Sequence, residues 1–226
     1  MNIKKFALGG IAASMLSTGG LANAGEISAN VTLASDYVFR GFSQTNEELA
    51  IQGGLDYAFE NGLYLGTWAS NVNFGGETSS ENDFYIGYGF DLNDDVALDF
   101  SAIYFAYPGD DDALNYSEFT AGVSFGDFGF GLVFSPDYFG SDSSAYILNA
   151  DYSFGLAENF SLDLHAGYTK TDDAGIATTE DNYIDYSVGV GTTAVGADFA
   201  LTFYGTDVDD NDLADDRLVL SVGKAF

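Results

Sequence analysis

The groups able to do chemistry in this chain are nearly all carboxylic acids. Thirty-five Asp and Glu stand against six Lys and Arg, with one histidine and no cysteine. The missing cysteine excludes a thiolate nucleophile, a Cys-ligated metal and a disulfide framework. Hydroxyl-based acyl transfer needs a base beside a nucleophile. The one imidazole, His165, lies between Asp163 and Gly167 in a strand-like run, and no Gly-x-Ser-x-Gly elbow occurs. A hydrogen bond to an acid such as Asp163 or Asp185 is the role expected of it, and no enzyme is expected. Asp207–Asp212 begins like a calcium loop but has Asp212 where glycine is required and Leu218 where the bidentate Glu is required. Gly109–Asp112 is acidic in the same unspecific way. No metal or cofactor is expected. What remains is electrostatics: a surface of formal charge −29, which concentrates cations, repels anions and forms no basic patch for nucleic acid.

Against that background the stretch SDYVFRGFSQT, Ser35 to Thr45, places Arg40 between aromatics and a Gly-Phe-Ser turn. Its meaning depends on the elements that position it. Period-two alternation recurs along the chain, which is the signature of half-exposed strands. Ile27, Ala29, Val31, Leu33, Tyr37 and Phe39 share one parity, and Asp36 and Arg40 the other. Eleven further segments follow, starting at Leu49, Leu63, Phe84, Val96, Phe119, Phe128, Tyr146, Phe160, Ile184, Phe199 and Arg217. In Leu63–Val72 neither parity wins. In Val96–Tyr107 the polar face turns apolar after Ser101, where a bulge is open.

The connections alternate between long and short. The long ones are Gly41–Glu48, Asn73–Asp83, Pro108–Asn115, Pro136–Ser144, Thr171–Glu180 and Asp207–Asp216. An even number of strands, with tight turns at one end and long acidic loops at the other, is the organisation of an outer-membrane barrel. A sandwich scatters long and short connections over both ends. The expected fold is therefore all-β: a transmembrane, antiparallel, up-and-down β-barrel of about 12 strands. Short turns face the periplasm and long acidic loops face outside. Aromatics on the apolar parity form two expected interfacial belts. Tyr57, Phe59, Tyr88, Phe90, Tyr152, Phe154 and Phe226 lie at the short-turn end. Tyr37 and Phe39, with Phe84, Tyr138, Tyr146 and Tyr168, lie at the long-loop end. Lys224, on the apolar parity near the end of the chain, is placed to snorkel.

The polar parity defines an expected lumen. It collects Asp36, Asp56, Asp91, Asp99, Glu118, Asp137, Asp151, Asp163, Asp185 and Asp198, opposed by Arg40, Arg217 and His165. Small Gly, Ser, Ala and Thr fill the gaps. A twelve-stranded barrel so lined need not be filled, and an acidic lumen favours cations. At the N-terminus, Lys4-Lys5, an apolar run and Ala22-Asn23-Ala24 read as a secretory signal peptide, cleaved after residue 24, with the barrel over 25–226. The segment ending on Phe226 has the form that such barrels present to their assembly machinery.

SDYVFRGFSQT, with Ile51–Val72 (IQGGLDYAFENGLYLGTWASNV), resembles the TorF-like porin family of proteobacteria. The likeness is sharpest at Arg40-Gly41, Ser43-Gln44-Thr45 and Trp68-Ala69-Ser70-Asn71. It implies an outer-membrane barrel and brings no catalytic residues. The expected function is passive diffusion of small hydrophilic solutes, with a preference for cations. The alternative is a non-conducting structural or adhesive barrel acting through its acidic loops. Expected partners are the bilayer and lipopolysaccharide of the outer membrane, the barrel-assembly machinery, and the solutes or cations themselves. Monomer and homo-oligomer are both open.

Overall fold

Strands whose side chains alternate in polarity must place one face in an apolar medium and the other in a polar one. A closed ring of them also leaves no unpaired edge. A computed structural model describes residues 25–109, 113–157, 159–174 and 178–226. The signal-peptide reading of residues 1–24 and the acids at 110–112 lie outside the described residues.

Among these residues the strands are β1 (Glu26–Ala34), β2 (Val38–Phe39), β3 (Phe42–Ser43), β4 (Ala50–Ala58), β5 (Leu63–Asn71), β6 (Ser80–Asp91) and β7 (Val96–Ala106). There follow β8 (Tyr116–Phe125), β9 (Phe128–Ser135), β10 (Ala145–Ala157), β11 (Phe160–Thr171), β12 (Asn182–Ala194), β13 (Ala197–Thr206) and β14 (Arg217–Ala225). Twelve of them, β1 and β4 to β14, form one closed antiparallel barrel. Each pairs with its neighbour in sequence, and β1 closes the ring against β14. β2 and β3 pair only with each other. The up-and-down order puts every long connection at one end and every short turn at the other.

The outward face is apolar. Leu55, Ile86, Phe100, Phe119, Leu148, Leu201 and Leu220 are each about half exposed, although they sit mid-strand. A continuous apolar belt of this kind exceeds what a surface in water carries. The strands run from 8 to 13 residues in the barrel, which suits a bilayer crossing by tilted strands.

Along the strands the structure corrects the end of the first one and resolves two points that the sequence leaves open. The first strand ends at Ala34, not Arg40. Asp36 accepts hydrogen bonds from the Ser43 and Thr45 hydroxyls, each at 2.7 Å, and Gln44 N donates to Tyr37 O at 2.7 Å. The chain beyond Ala34 thus pairs with itself and turns into the barrel. Secondly, β7 carries no bulge: its registers against β6 and β8 run unshifted. Its inward face turns apolar because Ile103, Phe105 and Tyr107 pack on that inserted segment. The register shift lies instead in β10, between Gly155 and Ala157. Thirdly, the ambiguity of β5 arises because its inward face is partly aromatic. Trp68 is buried against Tyr37, with ring centroids 5.4 Å apart.

Candidate functional site

The β2–β3 hairpin is built on Arg40-Gly41. Both residues have positive φ, 49° and 84°, as a two-residue hairpin turn with the right-handed strand twist requires. Glycine is needed at 41 for a second reason. A Cβ there would lie 2.2 Å from Thr206 Cγ2 and 3.1 Å from Asp185 Cβ, so the turn presses on the inner wall at β12 and β13. Arg40 meets no such obstacle, because its side chain points the other way, across the lumen to β8.

Three polar latches hold the hairpin. The Arg40 guanidinium donates two hydrogen bonds to the Glu118 carboxylate, at 2.6 and 2.8 Å, and one to Tyr138 Oη at 3.3 Å. Both ion-pair side chains are more than 90% buried. Arg217 on β14 reaches Asp36 at 3.0 Å and Glu47 at 3.5 Å. Tyr37 Oη donates to Glu81 at 2.9 Å. Around these, Phe39, Phe105, Tyr107, Tyr116, Tyr138 and Phe139 form one aromatic cluster. The Phe105 and Tyr116 rings stack with centroids 4.4 Å apart. Phe39 lies between Phe105 and Phe139, and the Arg40 guanidinium lies 4.5 Å over the Phe39 ring.

The interior therefore divides into two halves. Towards the long loops, inward side chains such as Glu81, Asp83, Phe105, Tyr116, Glu118, Thr169 and Tyr183 are buried under the hairpin and the Tyr138–Gly140 turn. Towards the short turns, inward positions are small, acidic or, at Tyr64 and Tyr85, aromatic, and many remain partly exposed. Asp56 accepts from Tyr85 Oη. Asp99 accepts from Tyr64 Oη at 3.0 Å. Asp163 accepts from Ser153 and Ser161, and Asp198 from Thr193. His165 sits midway, with Nδ1 2.8 Å from Asp151 and Nε2 3.1 Å from Asp185. Asp151 is its partner in register, whereas Asp163 is engaged by serines further along. Both ring nitrogens are committed to carboxylates, so neither is placed to take a proton from a hydroxyl. Gly167, facing Asp185 in register, gives that carboxylate its room: a Cβ there would lie 2.2 Å from Asp185 Oδ2.

Three expected belt residues are corrected. Tyr37 and Phe39 do not face outward. They are 5% and 4% exposed and lie inside the barrel. Tyr138, also expected at that rim, is 1% exposed. The alternation that suggests an outward face belongs to the inserted hairpin and the turn that packs on it. Phe84, Tyr146 and Tyr168 are outward at the long-loop end. At the other end Tyr57–Phe59, Tyr88–Phe90 and Tyr152–Phe154 make ring pairs, and Phe226 is exposed beside Lys224.

Glu81 and Asp83 escape the sequence reading, which extends the long connection to Asp83. Both are 0% exposed, and both oxygens of Asp83 lack a hydrogen-bond partner. A signal for them exists: 81, 83, 85, 87 and 89 share one parity, and Glu81 and Asp83 continue the Gly87-Gly89 face. Asp91 lies at the short-turn end of that face, and Asp137 accepts from Asp142 N in the β9–β10 loop. The calcium-like acids hold the backbone. Asp207 accepts from Ile184 N and Asp210 from Thr179 N. Among the described residues no group of three or more His, Asp or Glu side chains is gathered as metal ligands.

This architecture has known counterparts. The KdgM porin superposes with a TM-score of 0.57 at 11% identity, covering 88% of this chain and 98% of that one. The NanC porin gives 0.56 at 9% identity, with the same coverages. At such identities the likeness is one of fold. No curated protein matches the chain. The family model described as "Bacterial protein of unknown function (Gcw_chp)" matches residues 19–226.

Proposed function

We propose that this chain, which belongs to the Gcw_chp family of bacterial proteins, is an outer-membrane, porin-like diffusion channel for small hydrophilic solutes. It favours cations, and its outer entrance is closed by the β2–β3 hairpin. One observation carries the reading: a closed twelve-stranded barrel with an apolar outside encloses an acid-lined half-lumen. Asp56, Asp99, Asp151, Asp163 and Asp198 line that half with no Arg or Lys among them, which lowers the barrier to cations and raises it for anions. The fold shared with porins, and the resemblance to TorF-like porins, support the same class. The KdgM porin is known in complex with disordered oligogalacturonate, which is a polyanion. The acidic interior of the present barrel disfavours such a solute.

In this reading the chain is exported by its N-terminal signal, and the long loops face the lipopolysaccharide. The C-terminal strand engages the assembly machinery, and monomer or homo-oligomer are alternative working forms. The test is conductance in a planar bilayer under a KCl gradient. Channel activity with a reversal potential on the K⁺ side is expected. Anion selectivity would remove the electrostatic half of the proposal. A folded, heat-modifiable barrel that never conducts, with or without its hairpin, would sink the channel. The second reading, a non-conducting barrel, is favoured by one specific observation: the aromatic packing that fills the long-loop half of the lumen.

A further inference from the structure

Two buried acids under the hairpin have no base to oppose them. Glu81 and Asp83 share the inward parity of β6, and both are fully buried in the long-loop half of the lumen. No donor faces either oxygen of Asp83 or Oε2 of Glu81. Among the described residues no Lys, Arg or His forms an ion pair with either acid. Yet the two carboxyl groups lie within hydrogen-bonding reach of each other. Ionised carboxylates only accept, so that contact forms a bond only when one of the two carries a hydrogen.

We propose that Glu81 and Asp83 share one proton while the hairpin is closed, and that release of this proton opens it. The pair is thus a pH-sensitive latch on the outer entrance. It touches the closing element directly: Glu81 Oε1 accepts from Tyr37 Oη at 2.9 Å, and Tyr37 leads into the hairpin. On β5, Trp68 is the partner of Asp83 in register and packs on the same Tyr37 ring, while uncharged Ser70 faces Glu81. On the other side Phe105 of β7 faces Asp83, and the Tyr107 phenol beyond it lies beside Glu81. Further round, Glu118 of β8 adds a negative charge that Arg40 already matches, and Tyr116 lies next to it on the same strand.

Loss of the shared proton leaves two adjacent negative charges out of water, which is costly. Water reaches them when the Tyr37 segment lifts, and the proton passes to solvent. The closed state therefore binds one proton more than the open state. By linkage the closed form is favoured at lower pH, and the ratio of open to closed rises by up to about tenfold per pH unit as the proton is released.

This inference rests on the proposed channel only where it concerns current. The full chain is refolded in lipid nanodiscs, and acrylamide quenching of Trp68, the one tryptophan of the chain, is followed with pH. The range runs from about pH 6 to about pH 9, above ordinary carboxylates and below tyrosine. Quenching should rise reversibly with pH, in step with loss of the infrared carbonyl band of a protonated carboxylic acid. Asp83→Asn and Glu81→Gln, whose amides supply the missing donor without a titrating proton, should show neither change. If a variant fails to refold, the band and the quenching of the unaltered chain decide. Flat quenching in that chain, or no such band at the lower pH, would overturn the proposal. So would a response that survives in both variants, since His165 acting through Asp185 on Gly41 would then be its source. In a planar bilayer, conductance should rise over the same range. Responsive quenching with a silent bilayer would count against the channel alone, and a conducting barrel with flat quenching against the latch alone.

Discussion

The ion pair of Arg40 with Glu118 ties the β2–β3 hairpin to β8 across the barrel. Both charges are out of water, and the two-pronged geometry satisfies the carboxylate as a lysine could not. Breaking such a pair leaves a buried charge alone and costs about 3–5 kcal/mol. Arg40→Ala is therefore expected to lower the denaturant midpoint of unfolding and to raise single-channel conductance, because the same change frees the hairpin. Arg40→Ala combined with Glu118→Gln should recover part of the stability and none of the closure. A second residue-scale effect concerns pH. Hydrogen bonding from Thr179 holds the Asp210 carboxyl below its ordinary value. A depressed carboxylate contributes stability that is complete above the unfolded pKa of about 3.9 and is lost as pH falls through the lower folded value. The tie between the β11–β12 and β13–β14 loops should therefore persist at pH 5 and fail in strong acid. Amide exchange at Thr179, compared with an Asp210→Asn variant, reads this directly.

At the scale of elements, the hairpin is a short insertion that the barrel wall must accommodate. Gly41 is where it touches that wall most closely, and its φ of 84° is strained for any other residue. Gly41→Ala is expected to push the hairpin off β12 and β13 while leaving the twelve-stranded ladder intact. The one tryptophan of the chain reports the outcome, since Trp68 is buried against Tyr37 at the base of the hairpin. Its emission should shift to the red in Gly41→Ala, with heat-modifiability unchanged. An unshifted spectrum would mean that the wall yields instead of the hairpin. The aromatic cluster resists the same displacement. Large-to-small changes at a site such as Phe105 typically cost about 3–5 kcal/mol.

At the scale of the whole molecule, the outward belt and the inward acids make opposite demands on solvent. A barrel in a bilayer tolerates charge inside and penalises it outside, most strongly at mid-height. Leu132 is half exposed in the middle of β9, between Ala121 and Leu148 in register. Leu132→Arg should destabilise the protein in lipid by about 2–4 kcal/mol. Lysine in place of the adjacent inward Gly131 should cost less and shift selectivity toward anions. If Leu132→Arg proved neutral in a lipid-based unfolding titration, the belt would not be facing a membrane.

Much of this protein is legible in its sequence. The period of two, the alternation of loop lengths and the parity of residues such as Asp56, Asp99, Asp163 and Asp198 follow from local geometry: a strand shows alternate residues to two media, whatever lies further away. The pattern does not say what occupies the interior. Tyr37 and Phe39 read as outward because an inserted hairpin alternates just as a wall strand does. Ile103, Phe105 and Tyr107 read as an irregularity because their partners come from distant loops. Glu81 and Asp83 are lost at a boundary that parity alone could extend. The ring of strands is thus written in short-range patterning. Whether its mouth is closed is decided by contacts across 78 residues, from Arg40 to Glu118, and 181, from Asp36 to Arg217. Only the closed tertiary structure brings such separated groups together, and only there does burial make each ion pair strong enough to hold the hairpin in place.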